Sequence, residues 1–304
     1  MNMIGHQKTQ ATLAEMLASG RFPHALILHG QQGIGKRKLA EVLARVLLCG
    51  GGLVGGKLTP TPNHPLLPQI EAGACADYMV LEKGFTKEKE NKTIKIEQAR
   101  EVLSQLSMAA DGNRVMIVDA ADELGEEAAN VLLKTLEEPG KNIYFIVLAH
   151  NLFRVLPTIL SRCRKLKVEE LSASETKDIL AATLPDATPS EVELLAAHAA
   201  GSPGQALLLG REGAQAANLL LKALHGDANP VAVGDKLGKD AGLALDILLR
   251  QLALRVRKMP HLSTAETYAQ LESLRGKMES HNLTGAWVVE HALRSLQPLW
   301  QNPR

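Results

Sequence analysis

The stretch "ILHGQQGIGKRKLAEVLARVLL", residues 27–48, decides how the rest of the chain is read. An apolar run ends at Gly30, and Gly30-Gln-Gln-Gly-Ile-Gly-Lys36 then opens a segment whose apolar residues recur three and four apart, the period of a helix. Gly30, Gly33 and Gly35 let the backbone wrap a phosphate with its N–H groups, and Lys36 brings a point charge to the terminal phosphates. Where the metal-binding Ser or Thr hydroxyl should stand, the chain has Arg37. A guanidinium has no lone pair to offer Mg²⁺ and repels it. The loop reads as a phosphate cradle without the group that holds the metal.

Outward from this loop, residues 25 to 168 alternate short apolar runs with helical periodicities, which predicts strands crossing over through helices into a parallel sheet. Five strands are expected: "ALILHG" (25–30), "DYMVLE" (77–82), "RVMIVD" (114–119), "NIYFIVLA" (142–149) and "CRKLKV" (163–168). Helices are expected at "GKRKLAEVLARVLL", "IEQAREVLSQLSMA", "GEEAANVLLKTLEE" and "VLPTIL". This is a doubly wound α/β domain. Asp119, closing an apolar strand, is the usual partner of a phosphate loop, its carboxylate reaching the metal through water. The next residue should be the Glu that polarises the attacking water, and it is Ala120. Asp122 and Glu123 follow in the next turn and read as a solvated acidic turn.

Two stretches interrupt the alternation. "GGGLVGGKLTPTPNHPLLP" (50–68) is rich in Gly and Pro and is expected to be an irregular loop, and "EKGFTKEKENKT" (82–93) a charged surface loop. Beyond Glu169 the strands stop. Ser172-Ala-Ser-Glu175 is a capping-box pattern, Pro189 stands at an expected first helical position, and Gly201 ends that helix. The expected division is residues 1–168, a small helical domain over 169–210, and a helical region over 211–304 broken near "HGDANP" (225–230) and "MPHLS" (259–263).

Composition narrows the function classes. With 34 Lys and Arg against 33 Asp and Glu, the net charge of +1 argues against a stand-alone nucleic-acid binder, which needs a basic field. The first residues lack the pattern of a secretory signal, and no apolar run approaches the ~18 residues needed to span a bilayer. A cytoplasmic protein without membrane contact is expected. Cys49, Cys75 and Cys163 are an odd, sparse set and are expected to be reduced.

Four segments together resemble the delta-prime family of bacterial DNA polymerase III clamp-loader subunits, in the AAA+ superfamily: "FPHALILHGQQGIGK" (22–36), "AANVLLKTLEEPGKNIYFIVLAHN" (128–151), "VLPTILSRCRKL" (155–166) and "GSPGQAL" (201–207). The resemblance covers residues 1 to about 210. It implies an AAA+ phosphate-loop core with a parallel five-stranded sheet, a small helical lid, and an all-α C-terminal collar that joins partners in a ring. It also implies a division of labour, in which one subunit cradles a nucleotide and the next offers the arginine of a Ser-Arg-Cys motif, here Ser161-Arg162-Cys163. A guanidinium suits that role because it is always charged and its planar fork meets phosphate oxygens. Cys163 reads as a small packed residue.

The implied function is a clamp-loader subunit without an ATPase of its own, helping to load the sliding clamp on primed DNA beside gamma/tau-type motor subunits and a clamp-opening delta subunit. The rival within the family is an active motor subunit, which needs the hydroxyl and the Glu that Arg37 and Ala120 replace. A further alteration falls in Gly201-Ser-Pro-Gly-Gln205, where Gln205 stands in place of a phosphate-sensing Arg. No cofactor is required on this reading; Gly33, Gly35 and Lys36 retain the groups to hold ATP, ADP or phosphate weakly. Family members often carry a four-cysteine zinc site after the first helix. Here only Cys49, His64 and Cys75 stand in that region, so no metal is expected. His24 reads as a packed or capping residue, and Trp287 and Trp300 as packed in the C-terminal helices or at a subunit contact.

Overall fold

The computed structural model describes residues 3–83, 93–106, 112–258, 262–280 and 283–301. Packing divides it into two compact units, Met1–Thr183 with Ala199–Gln205, and Leu184–His198 with Ala206–Arg304. The first unit opens with α1 (Gln7–Ala18), β1 (Ala25–His29) and α2 (Lys36–Cys49), followed by β2 (Gly51–Val54), β3 (Lys57–Pro60) and α3 (Leu66–Glu71). Then come β4 (Tyr78–Glu82), α4 (Ile96–Leu106), β5 (Arg114–Asp119), α5 (Glu126–Glu137), β6 (Ile143–Ala149), α6 (Pro157–Leu160), β7 (Arg164–Lys167) and α7 (Ala173–Thr183).

The five expected strands form one sheet in the order β4-β5-β6-β1-β7, every neighbouring pair parallel. The central strands β1, β5 and β6 are apolar along most of their length because helices cover both faces, whereas edge strand β7, Arg-Lys-Leu-Lys, is largely exposed. Ile27, Met116, Val118, Phe145 and Val147 point to the side carrying α4, α5 and α6. Leu26, Leu28, Val115, Ile117, Ile146 and Leu148 point to the side of α1 and α2. This two-residue alternation is what a pleated sheet with two buried faces requires. The carboxyl ends of β1, β4, β5 and β6 gather at one edge, where open α/β sheets bind their ligands.

The Gly/Pro-rich stretch corrects the expectation of an irregular loop. β2 and β3 pair as an antiparallel hairpin around Gly55 and Gly56, whose φ values of 56° and 77° suit the two-residue turn that matches strand twist. Leu58 is buried beneath it, and its N–H donates to Oε1 of fully buried Gln10 at 2.8 Å. A Gly-Gly pair suits an irregular loop and a two-residue hairpin turn equally, so the local sequence does not separate them. The charged stretch 82–93 lies outside the described residues except for Glu82, Lys83 and Thr93, as do the expected helical residues Ser107, Met108 and Ala109.

The capping box forms as expected: the Ser172 N–H donates to Glu175 Oε2 at 2.8 Å and the Glu175 N–H to Ser172 Oγ at 3.2 Å. Ser172 Oγ also donates to Glu175 Oε2 at 2.7 Å, and this bond, then the one from the Ser172 N–H, holds the Glu175 carboxyl below its ordinary range. The second unit is helical, with α8 (Pro189–Ala199), α9 (Pro203–His225), α10 (Pro230–Leu237), α11 (Ala241–Lys258), α12 (Leu262–Ser280) and α13 (Gly285–Gln301). Gly210, at φ 65°, breaks α9 into two pieces. Leu220, Leu245, Leu248, Leu252, Val288, Leu293 and Leu296 form its core. Trp287 stacks on His291 at 4.8 Å, and the Arg255 guanidinium lies 4.7 Å from the Trp300 ring centre. Met259, Pro260 and His261 of the second expected break lie outside the described residues.

Candidate functional site

The phosphate loop runs from the end of β1 to the start of α2, and its five carbonyls from Gly30 to Ile34 all accept hydrogen bonds from the protein itself. Lys36 Nζ donates to Gly30 O and Gln31 O, each at 2.8 Å. Ser202 Oγ donates to Gln32 O at 2.7 Å, the Gly204 N–H to Gly33 O at 2.9 Å, and His6 Nε2 to Ile34 O at 2.8 Å. The segment 202–205 seats directly on the loop. A Cβ on Gly33 would lie 2.6 Å from Ser202 Oγ and 2.8 Å from Gln205 N, and the φ of +80° there already favours glycine. Gln205 reaches Gln32 Oε1 through Nε2 at 3.4 Å, a neutral amide where a sensing charge was expected to be lost.

Lys36 is only 4% exposed. Burial pushes its ammonium down to about 8, against the opposing pull of Asp122 and Asp119. Because the folded chain releases this proton more readily than the unfolded one, Lys36 binds fewer protons when folded between pH 8 and its ordinary value of 10.5. Stability therefore rises with pH across that window and is lowest, with respect to this group, below pH 8. An NMR titration of the Lys36 side chain should show a midpoint near pH 8. A midpoint above 10 would mean that water reaches the amine.

Arg37 gathers three carboxylates at the edge of the cleft. The register of β4 on β5 sets Glu82 beside Asp119 at the carboxyl ends of both strands. Two carboxylates at the spacing of neighbouring strands, about 4.8 Å, repel unless a cation lies between them. Arg37 Nη1 donates to both, at 2.6 Å to Glu82 Oε2 and 2.9 Å to Asp119 Oδ2, and Nε donates to Glu41 Oε1 at 3.0 Å one helical turn along. Burial alone would lower the guanidinium pKa, but its bonds to Glu82 and Asp119 prevail and raise it. Sequence reasoning found Arg37 and Asp119 but missed Glu82 and Glu41. Glu41 was within reach, since Arg-x-x-x-Glu puts the two on one face of a helix; Glu82 required the strand register.

The residues after Asp119 correct a second expectation. Asp122 belongs to no simply solvated turn: its carboxylate accepts from the His150 N–H at 2.9 Å and the Asn151 N–H at 3.2 Å, tying the turn after β5 to the end of β6. Glu123 pairs with Lys83 at 2.8 Å. His150 lines the cleft, and burial followed by the Lys36 charge pushes its imidazole down. Asn151 Oδ1 caps the next turn by accepting from the Phe153 N–H at 3.0 Å. The cleft bounded by Gly33, Gly35, Lys36, Arg37, Asp119 and His150 has a volume of about 660 Å³.

Arg162 lies outside this cleft, between α6 and β7. Nη1 donates to Thr158 O at 2.9 Å and to Ser161 Oγ at 3.2 Å, and Nη2 pairs with Glu137 at the end of α5. Ser161 Oγ itself donates to Thr158 O at 3.0 Å. The Arg162 side chain is 33% exposed. Its neighbour Cys163 is packed among the residues under the sheet, and burial pushes its thiol up to about 11.

A family model described as DNA polymerase III, delta subunit, matches residues 5–172. The chain belongs to that family. A DNA polymerase III subunit delta' from Pseudomonas aeruginosa is 35% identical over 196 residues, 64% of this chain and 58% of the relative. A subunit gamma from Buchnera aphidicola subsp. Acyrthosiphon pisum is 30% identical over 246 residues, 78% of this chain and 63% of the relative. The chain thus spans about three fifths of the length of the curated relatives it matches. Among solved structures, a DNA polymerase III gamma subunit-related protein from Thermotoga maritima aligns over 96% of this chain and 99% of that one, with 17% identity and a TM-score of 0.49.

The region where family members often carry a zinc site, and where no metal was expected here, holds the hairpin and α3. Cys49 and Cys75 are buried in one apolar cluster with Ile70, and burial, then Cys75, pushes the Cys49 thiol up. His64 Nδ1 accepts from the Leu66 N–H at 3.3 Å within its own turn. Among the described residues no group of three or more His, Cys, Asp or Glu is placed to hold a metal ion, and no helix is long and apolar enough to cross a membrane.

Proposed function

We propose that this chain is a delta-prime-type clamp-loader subunit with no ATPase of its own, and that Arg162 completes the nucleotide site of a neighbouring motor subunit. The observation that carries the first half is Arg37. Its guanidinium stands on Asp119 and Glu82, the carboxylates best placed to hold a metal, so a Mg²⁺–nucleotide complex would meet a fixed positive charge there. No Glu follows Asp119, and Glu123 is paired with Lys83. Gly30, Gly33, Gly35 and Lys36 are then a retained scaffold, with weak binding of ATP, ADP or phosphate as their residual capacity.

The second half is supported by family membership and by the exposure of Arg162 on a packed base. The reading extends to residues 1–168 as the AAA+ core, 169–210 as the lid and 211–304 as the collar. It places the chain in the cytoplasm beside gamma/tau-type and delta subunits, acting through the complex on the sliding clamp and primer-template DNA. The isolated chain, given Mg²⁺, ATP and primed DNA, should show no turnover above a protein-free blank. Hydrolysis that vanishes on Lys36→Ala would instead make it a motor subunit.

A further inference from the structure

We propose that Glu137 is a positioning residue for Arg162, fixing the guanidinium in the orientation from which it meets a phosphate on a neighbouring subunit; this rests on the reading of Arg162 given above. A guanidinium at the end of a long side chain samples many rotamers unless something holds it. Here three of its five N–H donors are committed: two on Nη1 to Thr158 O and Ser161 Oγ, and one on Nη2 to Glu137. The first two partners belong to the same four-residue helix and turn as Arg162, so they move with it. Among the described residues, Glu137 is the one partner that comes from elsewhere in the chain.

The element carrying Glu137 is rigid. α5 buries Ala128, Ala129, Leu132 and Leu136 against the sheet, so its last residue is a fixed point from which to hold a side chain 25 residues away in sequence. Cys163, buried beside Arg162, fixes the other end. The pair itself is exposed, with Arg162 at 33% and Glu137 at 49%, so it is weak enough for a polyphosphate to share or displace. Two N–H donors remain for that phosphate. An ion pair kept only for stability would sit as well anywhere on the surface. This one restrains the residue of the Ser-Arg-Cys motif and leaves part of its fork open.

The test is single-turnover ATP hydrolysis by the reconstituted complex. With Glu137→Ala the complex should still assemble on size exclusion, and the rate at the site Arg162 faces should fall about 10-fold with the ATP concentration for half-maximal rate unchanged, since small misplacements of a positioned group cost up to about 10²-fold. Glu137→Gln keeps an acceptor for Nη2 and should stay within about 3-fold of wild type, and Glu137→Lys, which repels the guanidinium, should lose at least as much as the Ala variant. In an Arg162→Ala background, Glu137→Ala should have no further effect. Wild-type rates for both the Ala and Lys variants, or the same fold-loss with and without Arg162, would overturn the role of Glu137. Arg162→Ala alone separates the two readings: if that change is silent the finger fails, and if it is costly while the Glu137 variants are silent only the positioning role fails.

Discussion

On the proposed reading, replacing Arg162 by Ala should lower ATP hydrolysis at the neighbouring subunit's nucleotide site by about 10³-fold or more, while the complex still assembles. The size follows from where the charge acts. An arginine offered in trans meets negative charge as it spreads over the transferring phosphoryl group, in a site closed to water, and its stabilisation appears in the transition state rather than in binding. Removing it therefore lowers the rate and leaves ATP affinity nearly untouched. Loss of the side chain costs the fold little, because an ion pair this exposed is worth about 1 kcal/mol or less. Arg162→Lys should recover little of the rate, since an ammonium keeps the charge but loses the planar fork. An unchanged single-turnover rate in Arg162→Ala would remove this residue from the chemistry.

The second large effect concerns the phosphate loop as structure. Gly33→Val should destabilise the first unit by about 3 kcal/mol, from about 1–2 kcal/mol for a left-handed backbone under a side chain and a similar amount for overpacking. At φ +80° a β-branched residue is strained, and its Cβ would press on Ser202 Oγ and the Gln205 N–H. The bonds from Ser202 to Gln32 O and from Gly204 to Gly33 O then have to lengthen or break. For a unit of this size the melting temperature should fall by roughly 6–12 °C. The Gly204 amide should lose its protection from hydrogen exchange. A melting curve within 2 °C of wild type (about 1 kcal/mol or less) would mean that the 202–205 segment does not hold the loop.

The strands of the sheet were legible because a strand buried on both faces is an uninterrupted apolar run, and "ALIL", "RVMIV" and "IYFIVLA" advertise themselves. Arg37, Asp119 and Ala120 were legible because a phosphate loop and its partner strand carry local spacing. What escaped notice was set by register and by long-range packing. That Glu82 ends beside Asp119 depends on how β4 slides against β5, and no local pattern states it. The seat of Ser202 and Gly204 on the loop joins residues some 170 apart. The hairpin was missed for a different reason: Gly55-Gly56 with short, half-polar flanks serves a loop and a tight turn equally well, and only the buried Gln10 that receives Leu58 decides between them.

The bridge from Arg37 to Glu82 and Asp119 also locks the charge balance of this cleft. With a guanidinium between two abutting carboxylates, changing it to Thr does more than supply a hydroxyl. The variant inherits a pair of bare negative charges that must find a cation at once or take up a proton. A hydroxyl at 37 is therefore not enough by itself to open this cleft to a metal: the charges of Glu82 and Asp119 must be balanced with it, and Ala120 still brings no carboxylate.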